Sequence, residues 1–340
     1  MRIAVIGPAH GTSRHRARAL ERLGHVVSIV DPWAWVGSSQ WTARWLFHTG
    51  GVGAGLLIGA RLFEAARSSE PELIWVNQGP FLGQRIIRRL RTLGVPIVNY
   101  TNDDPFGGRD GRRFDPYLKA LPEYDLVAVV REPNVAEAQA LGARRVIRIW
   151  MTADEVAHAP RRIDPSVRQR FASDVAFIGT WMPERGSFMA ALIQRGVPLS
   201  VWGDRWQKAP EWRVIAPHWR GPGIYDDEGY AAVIQSAKIC LGLLSKGNRD
   251  LHTRRSLEVP ALGGLLCAER TTEHQELYEE GREAVFWVDA EECAAQCARL
   301  LANERLRQEI VHRGSDRARL NNCYNEPTLA RIIELAMRAK

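Results

Sequence analysis

The chain reads as an α/β protein of two doubly wound parallel-sheet domains facing a central cleft, and three observations predict it. Short apolar runs alternate with helical stretches over residues 1–150; a polar, proline-bearing segment interrupts them; the same alternation then restarts near Asp174. Apolar runs of four to six residues separated by helices mark a parallel sheet covered on both faces, because a strand buried on two sides has no polar positions to alternate. The bulk numbers agree. A length of 340 residues suits two ordinary domains, and 45% hydrophobic with 25% charged residues is a soluble globular composition.

In order, RIAVIG leads to a helix ending near Gly24, then HVVSIVD. ELIWVN, a helix over 84–93, PIVNYTND, LVAVV, a helix over 134–141 and VIRIW complete the first set. The polar stretch TADEVAHAPRRIDPSVRQR, with Pro160 and Pro165, reads as a linker. VAFIG, a helix over 184–195, LSVWG, a helix over 230–237, ICLGLL, LLCAE, AVFWV and a helix over 291–303 form the second set. The expected boundaries are 1–155, a linker at 156–173, 174–320, and a last helix within 321–340 that crosses back onto the first domain.

The net charge of +7 is unevenly placed. Residues 1–150 hold 20 Lys and Arg against 13 Asp and Glu, so the whole excess lies there and the rest balances. That suggests an anionic partner for the first half, such as a phosphorylated acceptor, an anionic lipid or nucleic acid, or else an arginine-rich solvated surface. No recognition-helix or aromatic-platform motif points to specific nucleic-acid binding. The stretch DPWAWVGSSQWTARWLFHTGG gathers Trp33, Trp35, Trp41, Trp45 and Phe47, which are expected either in the core or facing the acceptor or a membrane surface. GVGAGLLIGARLF is interrupted by Arg61 and falls short of the ~20 residues of a spanning helix. The N-terminal residues enter a strand with no signal-peptide pattern. None of the five cysteines has metal or redox spacing, and Cys293 and Cys297 read as small residues on one helix face. A cytoplasmic protein, peripheral at the inner membrane face, is the expectation.

Ligands of doubly wound sheets sit in loops after strands. GPAHGTSRHRAR lacks the Gly-x-Gly-x-x-Gly fingerprint, since Ala9 and Thr12 interrupt it, which demotes a dehydrogenase. His10, Ser13 and His15 put polar groups at the cleft, unless Thr12 or Ser13 caps a plain turn. In YTNDDPFGG the adjacent Asp103 and Asp104 point opposite ways along an extended chain, which argues against shared metal ligation and leaves acceptor binding or proton transfer. FIGTWMPER offers Gly179, Thr180 and Arg185, whose planar fork suits a phosphate. In DLHTRRSLEVPALGGLLC, Pro260 is easiest to place if a helix starts near Ser256 or Leu257, so Glu258 falls in its first turn. Helix amides there favour a diphosphate, the Glu258 carboxylate can accept from vicinal sugar hydroxyls, and Asp250 faces the pocket from its other side. Arg254, Ser256 and Leu257 complete this expected donor set. A molecule with two sugars joined by a diphosphate fits it: a nucleotide-sugar.

The Asp250-to-Glu258 spacing resembles the acid-x7-acid signature of retaining glycosyltransferases of the B-type fold, with aspartate for the usual first glutamate. HTRRSLEVPALGGLLCAERTTEHQELYEEGREAVFW resembles the C-terminal motif of CgeB-like spore-maturation glycosyltransferases, and FIGTWMPER and NDDP are similar to patterns of that family. The close resemblance spans about 174–320. It implies two Rossmann-like domains and transfer of a sugar from a nucleotide diphosphate donor to an unknown acceptor, without metal or other cofactor; the charge excess suggests that this acceptor is anionic or lipid-linked. The resemblance also implies Glu258 on the ribose, Asp250 or His252 on the transferred sugar and Arg185 on the diphosphate. A retaining enzyme lets the departing phosphate assist deprotonation; an inverting one takes its base from His10, His15, Asp103 or Asp104. A nucleotide-sugar epimerase of the same fold, or a non-catalytic binder of nucleotide-sugar or nucleic acid, is the alternative. In ERTTEHQELYEEG, Thr272 and Gln275 read as a capping box and Gly281 as a helix stop, so Glu273 and His274 are expected as scaffold.

Overall fold

A computed structural model describes residues 1–37 and 39–338. It divides into two compact units, 1–150 with 247–249 and 325–340, and 151–246 with 250–324. Each holds a six-stranded, all-parallel sheet.

In the first unit, β1 (Arg2–Ile6), β2 (Val26–Val30), β3 (Leu73–Asn77), β4 (Ile97–Tyr100), β5 (Leu126–Val129) and β6 (Val146–Arg148) lie in the order β2-β1-β3-β4-β5-β6. β3, β4 and β5 are buried at every position, which is why their sequences run apolar without alternation. At one edge, β2 leaves Val26 and Ile29 exposed. The Gly11–Arg22 helix packs against Asn325–Met337, with Arg22 Nε 2.5 Å from Glu326 Oε1. The last helix of the chain therefore belongs to this first unit.

In the second unit, β7 (Ser173–Ile178), β8 (Leu199–Trp202), β9 (Trp219–Gly221), β10 (Ala237–Gly242), β11 (Leu266–Glu269) and β12 (Val285–Trp287) lie in the order β12-β11-β10-β7-β8-β9. β9 escapes the sequence pattern because three residues around the exposed Arg220 make no apolar run. The segment 156–173, expected as a linker, folds as part of this unit. Asp164 accepts the Ser166 N–H at 2.8 Å to cap the Pro165–Phe171 helix, whose first position suits a proline, and Arg168 Nη1 donates to the Gln235 carbonyl at 3.0 Å. The chain reverses its winding between β7 and β10 and again between β1 and β3, so the loops after those strands flank the switch points.

The helix after β10 begins earlier than Pro260 suggests, at Arg254, and runs to Ala261. Pro260 lacks the N–H that would bond the Ser256 carbonyl and normally disrupts a helix interior. Here Tyr278 donates its hydroxyl to that carbonyl at 2.7 Å, so the proline is tolerated. Glu258 consequently sits in the second turn. Tyr278→Phe should leave the buried carbonyl unpaired and cost about 1–3 kcal/mol in urea unfolding. Adding Pro260→Ala, which restores a backbone donor, should recover most of that loss. Simple additivity of the two changes would refute the assignment.

Candidate functional site

The carboxyl edge of the second sheet is assembled from loops that hold one another through buried polar groups. At the end of β7, Gly179 N–H donates to the Trp202 carbonyl and its own carbonyl accepts the Trp206 indole N–H, both at 2.9 Å. A Cβ at 179 would stand 2.7 Å from the Phe177 ring, so the position demands glycine. Thr180 gives its carbonyl to Arg185 Nη1 at 2.8 Å, and Arg185 Nη2 lies 3.3 Å from the carbonyls of Leu243 and Leu244. Arg185 is buried. Expected to reach a phosphate, it instead straps the end of β7 to the end of β10, since a buried guanidinium needs acceptors on its fork. Beside it, at the carboxyl ends of β10, β11 and β12, opens a cavity of about 340 Å³. Phe188 and Trp287, stacked with centroids 4.5 Å apart, give it an aromatic wall, and Arg185 and Lys246 give it positive charge. Lys246 is half-exposed and paired with Glu269, another lining residue.

The acid-x7-acid block is mostly inside. Asp250 is buried and tied to Ser245, whose N–H lies 3.4 Å from Asp250 Oδ2 while the Asp250 N–H donates to the Ser245 carbonyl at 3.3 Å. His252 is 1% exposed. Its Nε2 accepts the Met151 N–H at 3.0 Å, which assigns the ring proton to Nδ1, 2.5 Å from Glu273 Oε2. This corrects its expected catalytic role, because both ring nitrogens are committed to the fold. Ser256, expected on the donor, is buried in a relay. The Thr253 N–H donates to Ser256 Oγ at 3.0 Å, that hydroxyl to His274 Nε2 at 2.7 Å, and His274 Nδ1–H to the Glu269 carbonyl at 2.6 Å. Leu257 is in the core, and Arg254 remains partly exposed.

Glu258, also expected at an open pocket, is 1% exposed. It accepts from the Tyr230 hydroxyl at 2.8 Å and Arg255 Nη1 at 2.6 Å, with His158 Nε2 at 3.5 Å and Arg254 Nη1 at 3.6 Å. The earlier helix start turns it inward. Burial alone would raise its carboxyl; His158 Nε2–H, the charges of Arg255 and Arg254 and the Tyr230 hydroxyl together hold it well below the usual carboxylate range. Glu273 and His274, expected as scaffold, hold His252 and Ser256, whereas sequence reasoning missed His158 and Tyr230 as partners. Their one signal was polar residues at the ends of apolar elements. The helix after β11 is capped by Thr271 in place of Thr272, the Thr271 Oγ1 accepting the His274 N–H at 3.0 Å, and it stops at Leu277, short of Gly281.

In the first unit, His10 is exposed at the N-cap position of the Gly11–Arg22 helix without a side-chain cap bond, so neither Thr12 nor Ser13 caps it. Ser13 is buried, its Oγ accepting from Asn77 Nδ2 at 2.9 Å. Asn77 Oδ1 in turn accepts from Arg16 at 3.2 Å and the Trp75 indole at 3.1 Å, and Arg16 lies 3.8 Å over the Tyr100 ring. His15 is buried on the same helix. Asp104 is buried too, bonded by Arg249 Nε at 2.5 Å and Nη2 at 2.9 Å, by Asn134 at 3.0 Å and by the amides of Phe106 and Gly107. Against its burial, these bonds to Arg249 and Asn134 keep its carboxyl low. Ser13, His15 and Asp104, expected to meet an acceptor, are thus engaged in packing, while His10 and Asp103 keep access to solvent.

Among the described residues one cluster of metal-type donors occurs. The thiols of Cys267, Cys293 and Cys297 lie within 4.8 Å of one another, wholly inside the apolar core, where they pack as small hydrophobic side chains.

Residues 185–332 match the model of a family described as glycosyl transferase-like. No curated protein sequence matches the chain. Solved structures do. Anabaena HepE in complex with UDP and glucose has a TM-score of 0.69 at 13% identity, with both chains covered in full. Sucrose-phosphate synthase from Thermosynechococcus elongatus has a TM-score of 0.69 at 12% identity, again over the whole of both chains. The UDP-forming α,α-trehalose-phosphate synthase of Burkholderia xenovorans, in complex with glucose-6-phosphate, has a TM-score of 0.66 at 13% identity over 99% of this chain and 100% of that one. The fold is the two-domain, Rossmann-like B-type glycosyltransferase fold, and with the family match it supports a glycosyltransferase.

Two outcomes follow from this geometry. Glu258→Gln should destabilise the protein by about 3–5 kcal/mol in urea unfolding, because it removes the buried carboxylate charge that holds the part-buried Arg255; a near-neutral effect would contradict the buried cluster. Burial pushes the His274 imidazole down from 6.5 to about 4, with His252 adding to it and the Glu269 carbonyl and Glu273 opposing. The unfolded chain therefore takes up a proton below 6.5 that the folded chain refuses. Stability is full above 6.5 and falls as pH drops toward 4, by about 2 kcal/mol between about pH 7 and about pH 5. His274→Gln should flatten that slope.

Proposed function

We propose that the chain is a glycosyltransferase moving a sugar from a nucleoside diphosphate-sugar, UDP-linked as in the HepE complexes, to an anionic or lipid-linked acceptor. The observation that carries this reading is the cavity at the carboxyl ends of β10, β11 and β12, which lies within the span that matches the family. It pairs a stacked aromatic wall, suited to a base or sugar ring, with a cation suited to a phosphate. Lys246 binds the diphosphate, exchanging its Glu269 partner for it. Gly179 and Thr180 bring backbone close to the donor, and Asp250 orients the transferred sugar from its loop. Glu258 and His252 act as positioning residues, fixing the helix and loop from which these groups project.

Transfer proceeds with retention, the departing phosphate taking the acceptor proton, so catalysis rests on positioning and on positive charge at the leaving group. Lys246 and Arg254 supply that charge without a metal ion. Asp103 and His10 meet the acceptor.

Calorimetric titration of UDP should show saturable binding that Lys246→Ala weakens by about tenfold, the worth of a hydrogen bond to a charged group. With UDP-sugar and acceptor, release of UDP should persist in EDTA, and the product anomer should match the donor by proton NMR. Equal UDP affinity in Lys246→Ala would remove the phosphate assignment; an inverted anomer would replace the phosphate with Asp103 or His10 as the base.

A further inference from the structure

The first unit carries an apolar corner that the donor reading does not use. The helices Gln40–Thr49 and Ala54–Ser68 meet at 106° through the turn at 50–53. On their inner sides Leu46, Ala54, Ile58, Leu62 and Ala66 are buried, at helical spacing along the second helix. The turn is fixed in shape, since Gly50 has φ +65° and a Cβ there would stand 2.6 Å from the Arg112 carbonyl. Outward, the same corner exposes Trp41 (78%), Val52 (72%), Leu56 (79%) and Leu57 (77%), with Phe47 at 44%. Trp33, Trp35 and Trp45 pack against the core instead. An apolar group of this size on one elbow is more than scattered surface exposure.

Its charge is one-signed. From Pro32 to Phe63 the sequence has no Asp or Glu, while Arg44 and Arg61 flank the exposed rings and leucines. Beneath the turn lies a cavity of about 290 Å³ that Val52 helps to line, where Arg85, Arg112 and Lys119 face a single acid, Asp115. No single helix among the described residues is long and apolar enough to cross a membrane, and the two together pass that test only across their bend. Their inner faces are buried in the core and the pair is bent by 106°, a shape suited to resting on a surface.

We propose that this elbow docks the protein on an anionic phospholipid bilayer. Val52, Leu56 and Leu57 enter the acyl boundary, and Trp41 and Phe47 sit at headgroup depth, where an apolar ring beside water is most stable. Arg44, Arg61 and the cations beneath the turn pair with lipid phosphates, which explains why the one excess of positive charge in the chain is in this half. The proposal is independent of the donor site, and the two fail separately.

The test is flotation of the full chain with vesicles of phosphatidylcholine alone and of phosphatidylcholine doped with phosphatidylglycerol, at low and high salt. The wild type should float with the phosphatidylglycerol vesicles, less so at high salt, and poorly with phosphatidylcholine alone. The double variant Leu56→Ser, Leu57→Ser should lose at least about tenfold in partitioning, since each leucine buried is worth roughly that factor. Both side chains are largely exposed, so circular dichroism and UDP titration should be unchanged and will verify that the variant is folded. No flotation of the wild type, equal flotation of the variant, equal flotation on phosphatidylcholine alone, or self-association of the wild type in place of vesicle binding would each overturn the proposal.

Discussion

A carboxylate at 1% exposure stays ionised only if cations and donors replace the water it has lost, and Glu258 meets that condition through Arg255, Tyr230, His158 and Arg254. Much of the second unit's carboxyl edge hangs on this cluster. It draws together the helix after β10, the Tyr230 helix and the segment just past Met151. Nearby, the Met151 amide is pinned by His252 and the Asp154 amide by His158, each a neutral histidine accepting a backbone N–H. Helix, segment and loop therefore form one preorganised piece, and the loop carrying Asp250 is held at both ends.

The same economy recurs wherever polar side chains line a strand end. Arg185 ties the loops after β7 and β10, His274 ties the helix after β10 to the end of β11, and Asp104 closes its own turn around Arg249 and Asn134. Each of these buried groups bonds to neighbours of opposite character, as low-dielectric surroundings favour. Among the loop residues singled out for ligand contact, Arg254 in the second unit and His10 and Asp103 in the first stay accessible, beside Lys246 at the cavity. Scaffolding by buried polar groups with a few accessible charged ends is an arrangement suited to orienting a substrate rather than to proton chemistry on many side chains.

The two units differ in surface character as well as in packing. The first carries the excess positive charge and the apolar elbow; the second, with 22 Lys and Arg against 24 Asp and Glu, is slightly acidic and has its aromatic pair, Phe188 and Trp287, at a cavity rather than on an open face. The excess charge and the exposed apolar elbow thus lie on the first unit and the aromatic-lined cavity in the second.

How much of this was legible in the sequence depends on the range of the interaction concerned. Runs such as LIWVN and LVAV, apolar without alternation, dictated parallel strands buried on both faces, because burial of both faces is a local property of composition. The restart near Asp174 and the fingerprint-free first loop were local too, and so were legible. The three-residue β9 was not, since an edge strand that short has no pattern of its own. Nor was the side on which Glu258 lies. Pro260 argues for a late helix start when read alone, and only Tyr278, eighteen positions on, supplies the hydroxyl that lets the helix begin at Arg254 and turns Glu258 inward. His252, Ser256 and Asp104 were singled out for catalysis, the donor and the acceptor, but each is committed to an internal hydrogen bond. Their tasks were decided by Met151, His274 and Arg249, residues that only the tertiary fold brings within hydrogen-bond reach.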